Sequence, residues 1–167
     1  RASFGAALQE FDLLLKHEPP SGLSWCDRAG VCLETAEAEF QLGGDPKPSL
    51  DRALADLDEA EKLVPQDARL HAERGRVFST WAAFEEPRGE DPAPWCAKAL
   101  AAYGRALEID PDCWQARANR GLLLWQLDRP NEAEPDLVAA LKHAPGHPDL
   151  EQALAELRTG RKQEEKK

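Results

Sequence analysis

Apolar residues recur along this chain three and four positions apart, and the runs they form stop at prolines. Cys32-Leu33, Ala36, Phe40 and Leu42 keep one face apolar, as do Val77-Phe78, Trp81 and Phe84, and Leu150, Ala153-Leu154 and Leu157. That period is the signature of amphipathic helices. It predicts eight of them, roughly over residues 3–17, 23–42, 47–64, 67–85, 93–109, 113–128, 130–143 and 148–160. Alternating β-branched runs are absent and Val and Ile are sparse, so no strand is predicted and the fold class is all-α. A chain of 167 residues is long enough to bury a continuous core. No apolar stretch approaches the roughly 18 residues that a membrane span needs.

The prolines that close these runs are evenly placed. Pro19, Pro65, Pro111 and Pro145 are separated by 46, 46 and 34 residues, and each follows a helical pattern. A fixed period of this size marks stacked repeats. In residues 112–145, Gly121 is followed twelve positions later by Ala133, then by Leu137, Ala140 and Pro145. This spacing resembles the tetratricopeptide repeat (TPR), about 34 residues with the pattern W-x2-L-G-x2-Y…A-x3-F…P. Gly121 stands at the glycine, Leu124 at the tyrosine, and Ala133 and Leu137 at A-x3-F. Arg117 and Arg120 replace the tryptophan and leucine. Packing explains the residue types. Gly121 and Ala133 let two antiparallel helices approach, Leu124 and Leu137 fill the space beside them, and Pro145 ends the second helix because its ring and missing N–H block the next turn.

Two earlier units read as lengthened copies. Gly30 leads to Ala53, Leu57, Ala60 and Pro65, and Gly75 leads to Ala99, Tyr103, Ala106 and Pro111. The glycine-to-alanine spacing is 23 and 24 in place of 12, so each carries an insert of 11 or 12 residues. Asp45-Pro46-Lys47-Pro48 aligns with Asp91-Pro92-Ala93-Pro94 at the same offset of 46 residues. The coincidences argue for duplication of a 46-residue unit. Asp45 and Asp91 read as N-caps, with Pro46 and Pro92 at the first helical position. Each insert is expected to add one or two turns to a first helix, followed by a Gly/Pro loop. A disordered loop tip is the alternative, and Trp81, Phe84 and Trp95 are too apolar for one.

The resemblance implies a right-handed α-solenoid of antiparallel helix pairs in one domain over 1–167. Its parts are a partial repeat at 1–19, extended repeats at 23–65 and 67–111, a regular repeat at 112–145, a capping helix at 148–160 and a charged tail at 161–167. A start at Arg1 and the absence of Met read as a piece of a longer protein, such as the accessory part of a signalling enzyme.

Charge and chemistry narrow the function by elimination. A net charge of −10 repels phosphate and disfavours nucleic acid. The four cysteines make no C-x-x-C. Cys26 and Cys32 fall on opposite sides of one predicted helix, and Cys96 and Cys113 fall on separate helices, so small buried thiols of a reduced, cytoplasmic compartment are expected. His143 and His147 have ligand spacing, but Pro145-Gly146 ends the helix between them. No metal, cofactor or catalytic constellation is expected, and the chain reads as a non-enzyme.

A protein- or peptide-binding scaffold is the leading expectation. The resemblance implies that the first helices line a concave groove, which would present Arg28, Arg69, Glu73, Arg76, Gln115, Asn119, Leu122 and Trp125. A ligand carboxylate clamped by Arg69 and Arg76 is one reading, and arginines paired with Glu73 and nearby acids is the other. Of the chaperone-tail signature only Asn119 matches, so binding of such tails is not expected. The other class is homo-oligomerisation through Trp81, Phe84 and Trp95 at the helix tips. An exposed aromatic patch there would favour it.

Overall fold

Proline and glycine set the helix ends. A computed structural model of the chain describes residues 9, 10, 12, 13 and 21–164, the last four in backbone alone. It places seven helices: α1 Gly22–Gln41, α2 Lys47–Leu63, α3 Ala68–Glu85, α4 Ala93–Ile109, α5 Trp114–Gln126, α6 Pro130–His143 and α7 Pro148–Glu164. All seven fall within a few residues of a predicted span. The eighth span, 3–17, lies mostly outside the described residues, of which 9, 10, 12 and 13 are helical. Among the described residues there is no strand, and no helix is long and apolar enough to cross a membrane.

Local chemistry accounts for the starts and stops. Ser21 Oγ accepts from Ser24 N at 3.1 Å and Asp67 Oδ1 accepts from Arg69 N at 2.9 Å, satisfying amides that have no partner within their helix. Asp45 and Asp91 do the same for Lys47 and Ala93, at 3.1 and 3.0 Å, while Pro46 and Pro92 already hold helical backbone angles. Gly43, at φ 72°, turns the chain out of α1, and its N–H donates to Phe40 O at 2.9 Å.

The closest packing is within the pairs α1/α2, α3/α4 and α5/α6. The first helices α1, α3, α5 and α7 also touch in succession, whereas α2 does not touch α4 and α4 does not touch α6. A stack joined more closely along one row of helices must curve, with that row on its inner wall. Three apolar clusters follow the same arrangement, each running through one pair into the next first helix. No pair buries its apolar face alone.

The inserts are helical, and they lengthen both members of a pair. α1 and α3 have 20 and 18 residues against 13 in α5, and α2 and α4 have 17 each against 14 in α6. The added turns carry their own core. Trp81 stacks on Trp95 with ring centroids 4.8 Å apart, and Phe84 meets Phe40 edge-on at 5.7 Å. Lys47 spans this cluster, with Nζ 5.4 Å from the Trp81 ring centre and 3.0 Å from Glu85 Oε1. Trp81 and Phe84 are buried and Trp95 is half-buried. The helix tips therefore do not present these three rings as an open aromatic patch. The longer α1 and α2 bring Phe40 and Lys47 over rings that a shorter pair would leave bare.

Gly30 differs from its counterparts. A Cβ added at Gly75 would lie 2.4 Å from the Tyr103 ring, and one at Gly121 would lie 3.0 Å from Leu137. One added at Gly30 would meet nothing within 4 Å. The helix contact in the first pair is made by the preceding residue, Ala29, which is buried. The register of α1 is thus one residue away from the expectation.

Cys32, Cys96 and Cys113 are buried, Cys26 is half-buried, and all four are free thiols. Burial pushes the Cys32 thiol from the ordinary value of 9.0 up to about 11. In the unfolded chain it ionises near pH 8.5. Between those values the unfolded chain has released a proton that the folded chain keeps, so the stability contribution is full below about pH 8.5 and is lost as pH rises toward 11. Urea midpoints should fall between about pH 8 and about pH 10, and Cys32→Ala should flatten that fall.

Candidate functional site: the inner wall of the helix stack

Residues of α1, α3 and α5 converge on the inner wall. Between α1 and α3 lies a cavity of about 370 Å³, lined by Leu23, Cys26, Asp27, Gly30, Val31 and Glu34 on one side and Asp67, Arg69, Glu73 and Arg76 on the other. A second, of about 170 Å³, lies between α3 and α5. Arg76, Ser79 and Thr80 line it from α3, Asn119, Leu122 and Gln126 from α5, with Glu37 at one edge and Tyr103 behind. Arg76 borders both cavities, so the two lie next to each other along three first helices. Their successive positions three and four apart put these residues on one helix face.

The two groove arginines are held by acids. Arg76 reaches Glu73 at 3.0 Å and Glu37 at 3.3 Å. Burial opposes its charge, but Glu73 and Glu37 outweigh burial and raise its pKa above the ordinary arginine value. Arg69 is exposed, and both its side chain and its N–H bond Asp67, the N-cap of its own helix. Glu73 therefore pairs with Arg76 and not with Arg69. Cys26 sits in the first cavity with its thiol pushed up to about 11 by burial and then by Asp67.

Arg28 is not in the groove. Its Nη2 and Nε bond the Asp56 carboxylate at 2.5 and 2.8 Å, and its Nη1 reaches Asp12 at 2.6 Å. Asp56 on α2 is 2% exposed, so the guanidinium points into the pair. The one-residue register of α1 is the cause: with Ala29 at the helix contact, Arg28 turns toward α2, and Cys26, Asp27 and Gly30 turn to the groove. The same geometry recurs in the last pair, where Arg120 bonds Asp136 at 2.6 and 2.9 Å. In the middle pair Ala102 occupies the acid's place, and Arg74 turns to Asp58 and Glu61 on α2 at 2.6 and 2.8 Å.

Of the other expected groove residues, Asn119 and Leu122 line the second cavity. Gln115 is exposed beside Cys113, and Trp125 leans on the apolar cluster of α5, α6 and α7, so neither lines either of these two cavities. The expectation missed Leu23, Cys26, Gly30 and Glu37. The 46-residue offset carried the signal for the first three: counted back from Gly75 it reaches Ala29, not Gly30. Among the described residues no group of His, Cys, Asp and Glu is arranged to hold a metal ion.

Residues 96–158, covering the end of this wall, match a family model described as Tetratricopeptide repeat. Over residues 96–158 the chain is similar to tetratricopeptide repeats, and its fold throughout is that of a TPR helix stack. TTC0263, a thermophilic TPR protein of Thermus thermophilus, superposes with a TM-score of 0.69 over 95% of this chain and 74% of its own, at 22% identity. MamA superposes at 0.63 over 96% of this chain and 80% of its own, at 15% identity. The first TPR domain of Spaghetti (RPAP3), solved bound to the HSP90 peptide SRMEEVD, reaches 0.56 over 81% of this chain and 94% of its own, at 17% identity. Such identities establish the fold of the TPR array and nothing finer. No curated protein is detectably similar in sequence. TPR folds generally mediate protein–protein interaction and peptide binding.

Proposed function

We propose that this TPR array is a non-catalytic scaffold that holds a peptide segment of a protein partner along α1, α3 and α5. One observation carries the reading: two neighbouring cavities, with Arg76 in the lining of both, follow the inner wall across three helices. Asn119 is half-buried in it and Gln126 is at its edge. Side-chain amides both donate and accept, which suits them to the backbone of an extended peptide. The relative solved with SRMEEVD supports the mode of binding, not the ligand. Self-association through the helix tips has no comparable support, because Trp81 and Phe84 are buried.

A random dodecapeptide library displayed on phage and panned on the full chain tests this. Each amide hydrogen bond contributes about 0.5–1.5 kcal/mol, so Asn119→Ala/Gln126→Ala should weaken the selected peptides by about tenfold or more. Peptides that bind both proteins equally would overturn the groove as the site.

A further inference from the structure

We infer that the partner segment of this groove is cationic, rich in lysine and arginine. The inference rests on the groove reading above and concerns the chemistry of its occupant. Both groove arginines are already occupied by Asp67, Glu73 and Glu37. An incoming carboxylate would meet guanidiniums whose charge Asp67, Glu73 and Glu37 already balance, and repulsion from those three acids would offset much of what it gained. Asp27 and Glu34, by contrast, are exposed on α1 and face the first cavity; neither makes an ion pair or side-chain hydrogen bond among the described residues, and Asp27 adds only a weaker, more distant attraction to Arg69. They are seven positions apart on one helix, two turns, or about 10 Å along the wall. That distance suits cationic side chains two or three residues apart on an extended chain.

The cavity between them supplies what an acidic surface patch lacks. Leu23 and Val31 give it an apolar lining, along which the methylene stem of a lysine or arginine packs while its head reaches a carboxylate. The groove as a whole sets five carboxylates against two guanidiniums. A concave wall of one sign concentrates its field on the occupant, so the attraction exceeds that of scattered surface acids and weakens as salt is added.

The selected peptides are the probe. Those that depend on Asn119 and Gln126 should be enriched in Lys and Arg. Their affinity should fall by about tenfold in Asp27→Asn/Glu34→Gln, about 1.4 kcal/mol shared between two lost pairs. Asp51→Asn/Glu151→Gln removes the same charge at exposed sites outside the groove and should leave affinity within about twofold. Groove-dependent peptides that prove acidic or neutral would overturn the inference and leave the groove reading standing. An equal loss in both double variants would overturn it too, because net charge alone would then explain the effect. Peptides indifferent to Asn119→Ala/Gln126→Ala would remove the groove reading itself.

Discussion

Gly75→Ala should destabilise the protein by about 2 kcal/mol, and Gly30→Ala should stabilise it by about 0.5–1 kcal/mol, although both glycines lie inside helices of the same type. Alanine favours a helix interior over glycine by up to about 1 kcal/mol, and at Gly30 nothing within 4 Å opposes that gain. At Gly75 the new methyl would lie 2.4, 2.5 and 2.8 Å from three atoms of the Tyr103 ring. That ring cannot swing away, because it is 1% exposed and its hydroxyl lies 3.1 Å from Ser79 Oγ. Overpacking of this kind costs typically 1–3 kcal/mol or more and exceeds the propensity gain. Urea denaturation of the two variants measures both signs. Tyr103→Leu opens the site, so a double-mutant cycle with Gly75→Ala should show favourable coupling of about 1–2 kcal/mol. Additive losses would mean that the ring is not what alanine meets.

Arg28→Met should cost more, about 3–5 kcal/mol, because it strands the Asp56 carboxylate in the interior. Asp56 is 2% exposed, and Arg28 supplies both of its charged bonds. Arg28→Met/Asp56→Leu should recover most of the stability, since replacing a buried pair with apolar groups is far less costly than breaking it. Asp56→Asn should cost less than Arg28→Met, because Arg28 keeps Asp12. A loss under about 1 kcal/mol for Arg28→Met would show that water reaches Asp56 in the folded chain.

Helix positions were legible because amphipathic period and proline punctuation are local signals that tertiary packing reinforces. Pro46 and Pro92, with Asp45 and Asp91 before them, read correctly as helix starts for that reason. Two features were misread and a third was left open. Gly30 looked like Gly75 because each leads to an alanine at nearly the same spacing; the 46-residue offset, which pairs Gly75 with Ala29, pointed the other way, and the neighbouring helix leaves open space at one and a tyrosine ring at the other. Arg28 looked like a groove residue until the register of α1 turned it toward Asp56, 28 positions away. Whether the aromatic tips are exposed was left open by the sequence, because the cover that Phe40 and Lys47 give Phe84 and Trp81 is a contact between pairs.

The contact pattern of the stack bears on how it comes apart. Second helices touch only their own partner and the adjoining first helices, so each pair is held by neighbours alone and the end pairs can fray while the middle stays folded. A ligand lying across α1, α3 and α5 would act as a splint, binding three otherwise separable segments into one unit. Amides near both ends of the array would then slow their hydrogen exchange together, including those far from any contact with the ligand, and the occupied groove would stiffen the whole length of the spring.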